Sequence, residues 1–427
     1  MTARVAVASE RTRRRTIWCR RAYTSIAVTV LIAGHLFAQA QPRVTLLSPQ
    51  FATDSGVLRF VQGVRALPGG RVLVNDPDRR RLILLDSTLK QVAIVLDTTA
   101  GERNSYGRQP GGMIPYLADS TLFLERIGQV FILIDPSGSI IRTVAIPKVQ
   151  DLNYLMAPSV YGWASVDPKG RLIYQAVRRR PATPVSDPRV RNVPVAEPDS
   201  APIVRADFNT RSVDTIALVG VPLTKVTRSV DSHGVQVGAT AIDPLPVRDL
   251  WAMTSDGSIA LVRAHDYHID WVRPDGSRES SPKMPFDWKP LTAEDTQRIV
   301  DSTRQAEEAR RAAMPKPPPS AIGRSAPASP RALLIVEPSD LPDYFPPLRQ
   351  NAVMADRDGH VWILPTTSAG ATGGLLWDVV NRDGRIIQRV RLPLGHRLAG
   401  FGPGGDVYTF SSTGPGQTVL HRGRIPR

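Results

Sequence analysis

A turn followed by a short strand of alternating apolar residues recurs six times in the chain, and this repeat restricts the possible folds more than any other feature. The strands read RVLV, TLFL, RLIY, SIAL, HVWI and DVYT, and they follow turns at Gly69-Gly70, Asp119-Ser120, Lys169-Gly170, Asp256-Gly257, Asp358-Gly359 and Gly404-Gly405. A short apolar strand also precedes each turn. Because Gly and Asp supply the positive φ angles that tight hairpins require, the repeated unit is a β-hairpin.

A second turn and a more polar strand follow the hairpin in most copies, with turn sequences IDPSGS, ADFNTRS, RPDGS and NRDGR. Four antiparallel strands graded from apolar to polar are typical of a β-propeller blade. We therefore predict an all-β fold, one six-bladed propeller of four-stranded antiparallel blades. The alternative is a β-sandwich, which also spaces short strands regularly.

The last copy contains only three strands, and the N-terminal segment RVTLLSP, Arg43 to Pro49, is available as its fourth. Such a strand closes the ring and removes its open edges. The predicted blades span about 58–97, 113–147, 160–220, 248–285, 350–393 and 397–427, with 43–49 completing the sixth.

Three insertions interrupt the repeat spacing. Arg180 to Ala201 is predicted to be a long surface loop, and Val221 to Leu245 is predicted to contain an extra hairpin around residues 231–234. The insertion 286–349 is predicted to start with a surface helix from about Thr292 to Ala313, since Thr292 and Asp295 resemble a capping box. A Pro-rich segment then follows to Pro330.

The first forty residues have the pattern of a secretory signal peptide. Several arginines precede a short apolar run, Ile26 to Phe37, which ends in the small-residue site Ala38-Gln39-Ala40. The alternative is a membrane anchor, yet the run is shorter than the ~20 residues that span a bilayer. We expect cleavage after Ala40, an exported mature chain in the periplasm or outside the cell, and no membrane span. The single cysteine, Cys19, lies in the predicted signal, which excludes a disulfide from the mature chain.

The net charge of +15 at pH 7 comes mainly from arginines spread through the chain. We interpret it as a solvated, anion-tolerant surface and not as a nucleic-acid interface. A monomer is expected, with an unknown protein or a small molecule as its partner.

The stretch GGRVLVNDPDRRRLILLD resembles an NHL-type repeat, in which an apolar strand ends near an Asp and an Arg starts the next strand. RDGHVWIL and LLWDVVNRDGRIIQRVRLP are similar to the blades of exported bacterial six-bladed propellers. Proteins of this kind include scaffolds, ligand binders and a minority of enzymes, so the resemblance implies the fold and leaves the function open.

The enzymes that this resemblance implies, lactonase-like and strictosidine-synthase-like propellers, hold a divalent cation in the central channel with Glu, Asn and Asp. No cofactor is predicted from the motifs, and Ca²⁺ in the channel is the alternative. The metal-ligand candidates at the ends of second strands are Asn75, Asp76 and Glu125. The competing interpretation is that a strand-ending Asp caps backbone amides.

Two further groups of residues are candidates for ligand binding. His265, Asp266 and His268 lie together in the hairpin RAHDYHID and have metal-binding or acid–base chemistry, or they form a solvated hairpin tip. Arg126 and Arg263 lie on equivalent second strands, where they bind an anion or pair with acidic neighbours.

These observations favour a binding or interaction module that uses the channel mouth and the inserted loops for recognition. The alternative is a metal-dependent hydrolase or lyase, which requires at least three of Asn75, Asp76, Glu125, His265 and Asp266 to converge. A structural envelope component tethered through the insertion 286–349 is the third possibility.

Overall fold

The computed structural model describes residues 42–98, 105–107, 109, 111–176, 193–195, 198–223, 225–230, 236–313, 333–369 and 373–426. The predicted signal peptide, most of the loop that begins at Arg180, the hairpin tip 231–234 and the Pro-rich segment lie outside these residues. Two strands, β1 (Val44–Leu46) and β2 (Pro49–Ala52), precede the first blade.

The strands of the first three blades follow one another along the chain. Blade 1 contains β3 (Gly63–Ala66), β4 (Val72–Asp76), β5 (Arg81–Leu85) and β6 (Gln91–Leu96). Blade 2 contains β7 (Gly112–Pro115), β8 (Thr121–Glu125), β9 (Val130–Ile134) and β10 (Ile140–Ala145). After the short helices α1 (Leu152–Met156) and α2 (Pro158–Tyr161), blade 3 contains β11 (Ser165–Val166), β12 (Leu172–Gln175), β14 (Ser200–Ala206) and β15 (Val213–Gly220).

A separate three-stranded sheet follows blade 3 and joins two of the predicted insertions. Its strands are β13 (Val193–Val195), β16 (Val226–Val230) and β17 (Gln236–Thr240). The hairpin predicted between Val221 and Leu245 is therefore present, and it pairs with a strand from the insertion inside blade 3.

The remaining three blades complete the six-bladed propeller. Blade 4 contains β18 (Leu250–Met253), β19 (Ile259–Arg263), β20 (His268–Val272) and β21 (Arg278–Ser280). Blade 5 contains β22 (Val353–Ala355), β23 (Val361–Ile363), β24 (Leu376–Val380) and β25 (Ile386–Arg391), with α4 (Thr366–Ala369) between β23 and β24. Blade 6 contains β26 (Arg397–Phe401), β27 (Asp406–Gly414) and β28 (Gln417–Arg424). The prediction of antiparallel four-stranded blades is confirmed.

The N-terminal segment closes the ring, but with different residues from those predicted. Strand β2 supplies the fourth strand of blade 6 by antiparallel pairing with β28, whereas β1 pairs in parallel with β25 and becomes a fifth strand of blade 5. Assigning Arg43 to Pro49 as the closing strand was wrong. The physical reason is Leu47, which is buried between the two strands among apolar residues of blades 5 and 6 and directs the chain from one blade to the next.

In five of the six blades, the first turn takes one of two forms. Blades 1 and 6 place two glycines in the left-handed region, Gly69 and Gly70 in one and Gly404 and Gly405 in the other. Blades 3, 4 and 5 use one left-handed glycine, and in blades 3 and 4 the carbonyl of the Asp or Thr three residues earlier accepts its N–H. These positive φ angles explain the Gly-rich turns of the sequence.

The hydrophobic core is divided into layers between neighbouring blades. Trp251, Trp271, Trp362 and Trp377 are almost fully buried in these layers. Burying such large rings stabilises the packing of adjacent blades. Trp163 differs, because it lines the central channel.

The insertion 286–349 contains helix α3 (Ala293–Ala312), which Thr292 and Asp295 cap reciprocally as predicted. Most of the helix is exposed, and only Val300 is buried, against Val336 and Leu341. Within the described residues, we find no helix that combines the length and the apolar character needed to cross a membrane.

Candidate functional site

The inner strands of the six blades surround a cavity of about 440 Å³ in the central channel. Its wall is mainly apolar, since small and medium-sized side chains of the inner strands face it: Met113, Ile114, Pro115, Ala252, Met253, Met354, Ala355 and Phe401. Helices α1 and α2 lie near the end where the inner strands begin, and Leu155 and Pro158 reach the cavity there. An apolar channel closed partly at one end is suited to a small molecule.

Trp163 lies at the level of the first residue of the inner strand of blade 1. A Cβ added to Gly63 would come within 3.1 Å of the Trp163 ring, so this glycine leaves the space that the ring needs. The buried indole Nε1 of Trp163 has no hydrogen-bond partner among the described residues. Trp163 therefore places an aromatic residue at the cavity, while its indole N–H is buried without an acceptor among the described residues.

Two arginines converge at the other end of the inner strands. Arg65 of β3 donates from Nη1 to the carbonyl oxygen of Ala66 at 2.9 Å, and Arg357, which follows β22, donates from Nη2 to the same oxygen at 2.8 Å. Arg65 is 6% exposed, and both side chains line the cavity. Blade 1 and blade 5 thus bring two guanidinium groups to one oxygen.

Asp119, from blade 2, is the acidic partner of this arginine pair. Its Oδ1 lies 3.4 Å from Arg65 Nη2 and 3.9 Å from Arg357 Nη1, and its side chain is 46% exposed. Neither distance is that of a strong charge-assisted hydrogen bond, which is usually below 3 Å. The cluster has two positive groups and one weakly engaged negative group, so its formal charge is positive.

The turn that carries Asp119 has an unusual backbone. Ala118 and Asp119 have φ values of 51° and 56°, whereas the corresponding turns of blades 1 and 6 place glycines in this region. A left-handed residue other than glycine costs roughly 1–2 kcal/mol, less for Asp, whose side chain tolerates the conformation. Blade 2 therefore keeps a carboxylate beside the arginine pair at some cost in backbone energy.

Burial affects the pKa of one member of the pair. It lowers the pKa of Arg357, because desolvation disfavours the charged guanidinium. Arg65 Nε is also buried and has no acceptor among the described residues. Asp356, the neighbouring carboxylate, accepts hydrogen bonds from His360 Nδ1 and Trp362 Nε1 at 3.0 Å each. Arg65 thus has one N–H that the described residues leave without an acceptor.

The three predicted metal-ligand candidates have structural hydrogen bonds. Asn75 lines the cavity, where its Nδ2 donates to Gln62 Oε1 and to Gly111 O and its Oδ1 accepts from Tyr106. Asp76 is fully buried and accepts from three backbone amides of neighbouring loops.

Glu125 accepts from the amides of Ile127 and Gly128 in its own turn. No group of three or more His, Cys, Asp or Glu residues that could hold a metal ion occurs in the described part of the chain. The metal role of Asn75, Asp76 and Glu125 remains a prediction.

The predicted arginines lie away from the channel cavity. Arg263 donates to Asp249 and Asp270 at 2.7 Å each. It therefore pairs with acidic neighbours, which was the alternative to anion binding. Arg126 follows β8 and donates to Asn153 Oδ1 at 3.2 Å.

The histidine hairpin of blade 4 points its side chains in different directions. His265 and Asp266 are exposed, and Asp266 pairs with Lys283 at 2.8 Å. His268 instead contacts Asp270 at 3.2 Å, and Ser280 donates to the same carboxylate oxygen. The structure therefore forms separate pairs where the sequence placed the three residues together.

Sequence reasoning missed Arg65, Asp119, Arg357 and Trp163. One signal was available, since Arg65 is the only charged residue within the inner strand GVRA. A charged side chain in a strand that lines a channel points to a function. Asp119 and Arg357 lie in turn sequences that gave no signal of their own. Only closure of the ring brings them close to Arg65.

The sequence matches no protein-family model, and no curated protein matches it significantly. Solved structures with similar strand arrangements include a gluconolactonase of Xanthomonas campestris, 11% identical over 86% of this chain and 87% of its own, with a TM-score of 0.39. The calcium-binding protein regucalcin of Agrobacterium tumefaciens is 10% identical over 90% and 97%, with a TM-score of 0.40. A virginiamycin B lyase of Staphylococcus aureus is 9% identical over 88% of each chain, with a TM-score of 0.35. The site assignment therefore rests on the geometry of this chain.

Proposed function

We propose that this protein is an exported, monomeric binding module that takes a small molecule into its central channel. The observation that carries the proposal is the apolar cavity of about 440 Å³ enclosed by the six inner strands. Ligand cavities of proteins usually have volumes of about 300–1,000 Å³, mostly apolar walls and a few polar groups that orient the ligand. The arginine pair supplies such polar groups here, and Trp163 adds an aromatic residue to the wall.

The metal-dependent hydrolase or lyase remains the competing proposal. Against it, Asp76 and Glu125 direct their oxygens to backbone amides of nearby loops, and His265 and Asp266 lie at an exposed hairpin of blade 4. Metal analysis of the purified protein, with melts in Ca²⁺ and in chelator, tests this alternative. One cation per chain and a lower melting temperature in chelator would favour it.

A neutral fluorescent probe tests binding in the cavity without assuming a charge. N-phenyl-1-naphthylamine becomes strongly fluorescent in apolar surroundings, and we expect saturable binding of one molecule per chain. Ala355→Phe adds a ring to the cavity wall and should weaken binding at least about tenfold, which corresponds to 1.4 kcal/mol.

Ala145→Phe provides the matched control, because Ala145 is exposed on the outer strand of blade 2. This variant should bind the dye like the wild type. The proposal fails if the wild type shows no saturable binding, or if Ala355→Phe binds as tightly as the wild type while both remain folded.

Export is tested separately by the mass of the mature protein. Cleavage after Ala40 gives a chain that starts at Gln41. An intact N terminus on the protein recovered from the periplasm or medium would contradict the proposed signal peptide.

A further inference from the structure

We propose that the channel binds an amphipathic monoanion, with its acidic group between Arg65 and Arg357 and its apolar body in the cavity. This inference rests on the proposed binding function and adds the chemical class of the ligand. A carboxylate or sulfonate attached to an aromatic or aliphatic body fits the description.

The position of the charged end follows from the arginine pair. Both arginines line the cavity and both guanidinium groups donate to the carbonyl oxygen of Ala66, so they lie close together without a strong acidic partner between them. Asp119 contacts them only at 3.4 and 3.9 Å. Two neighbouring guanidinium groups repel each other, and an incoming anion relieves this repulsion by accepting from both.

Asp119 then acts as an internal counter-ion that competes with the ligand. Its side chain is 46% exposed, so it can turn toward solvent when another anion approaches. The cluster carries two positive charges and one negative charge, and one bound monoanion makes it neutral. A dianion would leave a net negative charge in a mainly apolar channel, which is unfavourable.

The position of the apolar body follows from the wall between the two ends. Arg65 lies two residues after Gly63 on β3, a distance of ~7 Å along an extended strand. The Trp163 ring lies against Gly63, and three methionines, Met113, Met253 and Met354, line the remaining wall. Methionine adapts its shape to an apolar partner, and the indole offers a flat face. A ligand anchored at the arginine pair therefore extends along Trp163.

Two dyes with the same aromatic skeleton separate this inference from the proposed function. N-phenyl-1-naphthylamine is neutral, and 1-anilinonaphthalene-8-sulfonate is the same molecule with one sulfonate. We expect the sulfonate dye to bind the wild-type protein at least about tenfold more tightly, because the sulfonate accepts charge-assisted hydrogen bonds from the arginines that the neutral dye cannot accept.

Substitutions in the cluster should change the affinity for the anionic dye alone. Arg357→Met and Arg65→Met each remove one charge and should weaken binding of the sulfonate about tenfold. Asp119→Asn removes the competing carboxylate and should strengthen it by about threefold or more. Arg142→Met, on the exposed outer strand of blade 2, is the charge-matched control and should leave both affinities unchanged.

The outcomes of these experiments distinguish the anion assignment from the proposed binding function. If the neutral dye binds in the cavity but the sulfonate binds no more tightly, the anion assignment is overturned and the binding function stands. If neither dye binds, the proposed function itself fails. Should an arginine variant not fold, Asp119→Asn decides alone, and an unchanged or weaker affinity for the sulfonate in that variant overturns the assignment.

Discussion

Replacement of Asp76 by alanine should destabilise the propeller by about 3–5 kcal/mol. Asp76 is fully buried at the end of β4. Its carboxylate accepts from the amides of Arg59 at 2.9 Å, Phe60 at 3.1 Å and Arg79 at 3.4 Å, and these bonds hold the loop that leads into the inner strand β3. Each hydrogen bond to a charged group contributes about 1.5–3 kcal/mol, and the longest of the three contributes least.

Asp76→Asn keeps one carbonyl oxygen as an acceptor and should lose about half as much free energy of unfolding, roughly 2 kcal/mol. Asp86→Ala is the matched control. The carboxylate of Asp86 also accepts from two backbone amides, at 2.7 and 3.0 Å, but these bonds are exposed. Water replaces the carboxylate there, so this variant should lose much less stability than Asp76→Ala.

Equilibrium urea unfolding followed by tryptophan fluorescence measures these differences. A loss below about 1 kcal/mol for Asp76→Ala would refute the argument that the buried carboxylate supports the loop. The same experiment in chelator separates the two roles considered for Asp76. A wild-type midpoint that falls in chelator to that of Asp76→Ala would show that the carboxylate holds a cation.

Three further measurements test other parts of the structure. Burial, with a contribution from neighbouring His396, lowers the pKa of His421 to about 4. The stability that this histidine contributes above pH ~6.5 should therefore be lost as the pH falls toward 4. The difference between the urea midpoints at pH 7.5 and 4.5 should be smaller for His421→Gln than for the wild type. Leu47→Ala should lower the free energy of unfolding by about 2–5 kcal/mol, and an unchanged urea midpoint would contradict its role between blades 5 and 6. Val300→Ala should increase proteolysis near α3 without changing the channel affinity for the neutral dye, and equal cleavage rates would contradict the packing of α3.

The sequence predicted interactions between residues close in the chain better than it predicted the candidate site. Helix α3 and its cap were predictable, because Thr292 and Asp295 are three residues apart and interact within one turn. Closeness in the chain misled the prediction for the histidine hairpin. Its residues are neighbours in the chain, yet His268 contacts Asp270 and Asp266 contacts Lys283.

By itself, the sequence determined the blade, because alternating apolar residues and turns rich in Gly and Asp act between strands that are neighbours in the chain. Tertiary structure decided how the ring closes, since β1 and β2 pair with strands more than 300 residues away. It also created the candidate site. Arg65, Asp119 and Arg357 come from blades 1, 2 and 5, and only closure of the ring brings their charges to one mouth of the channel.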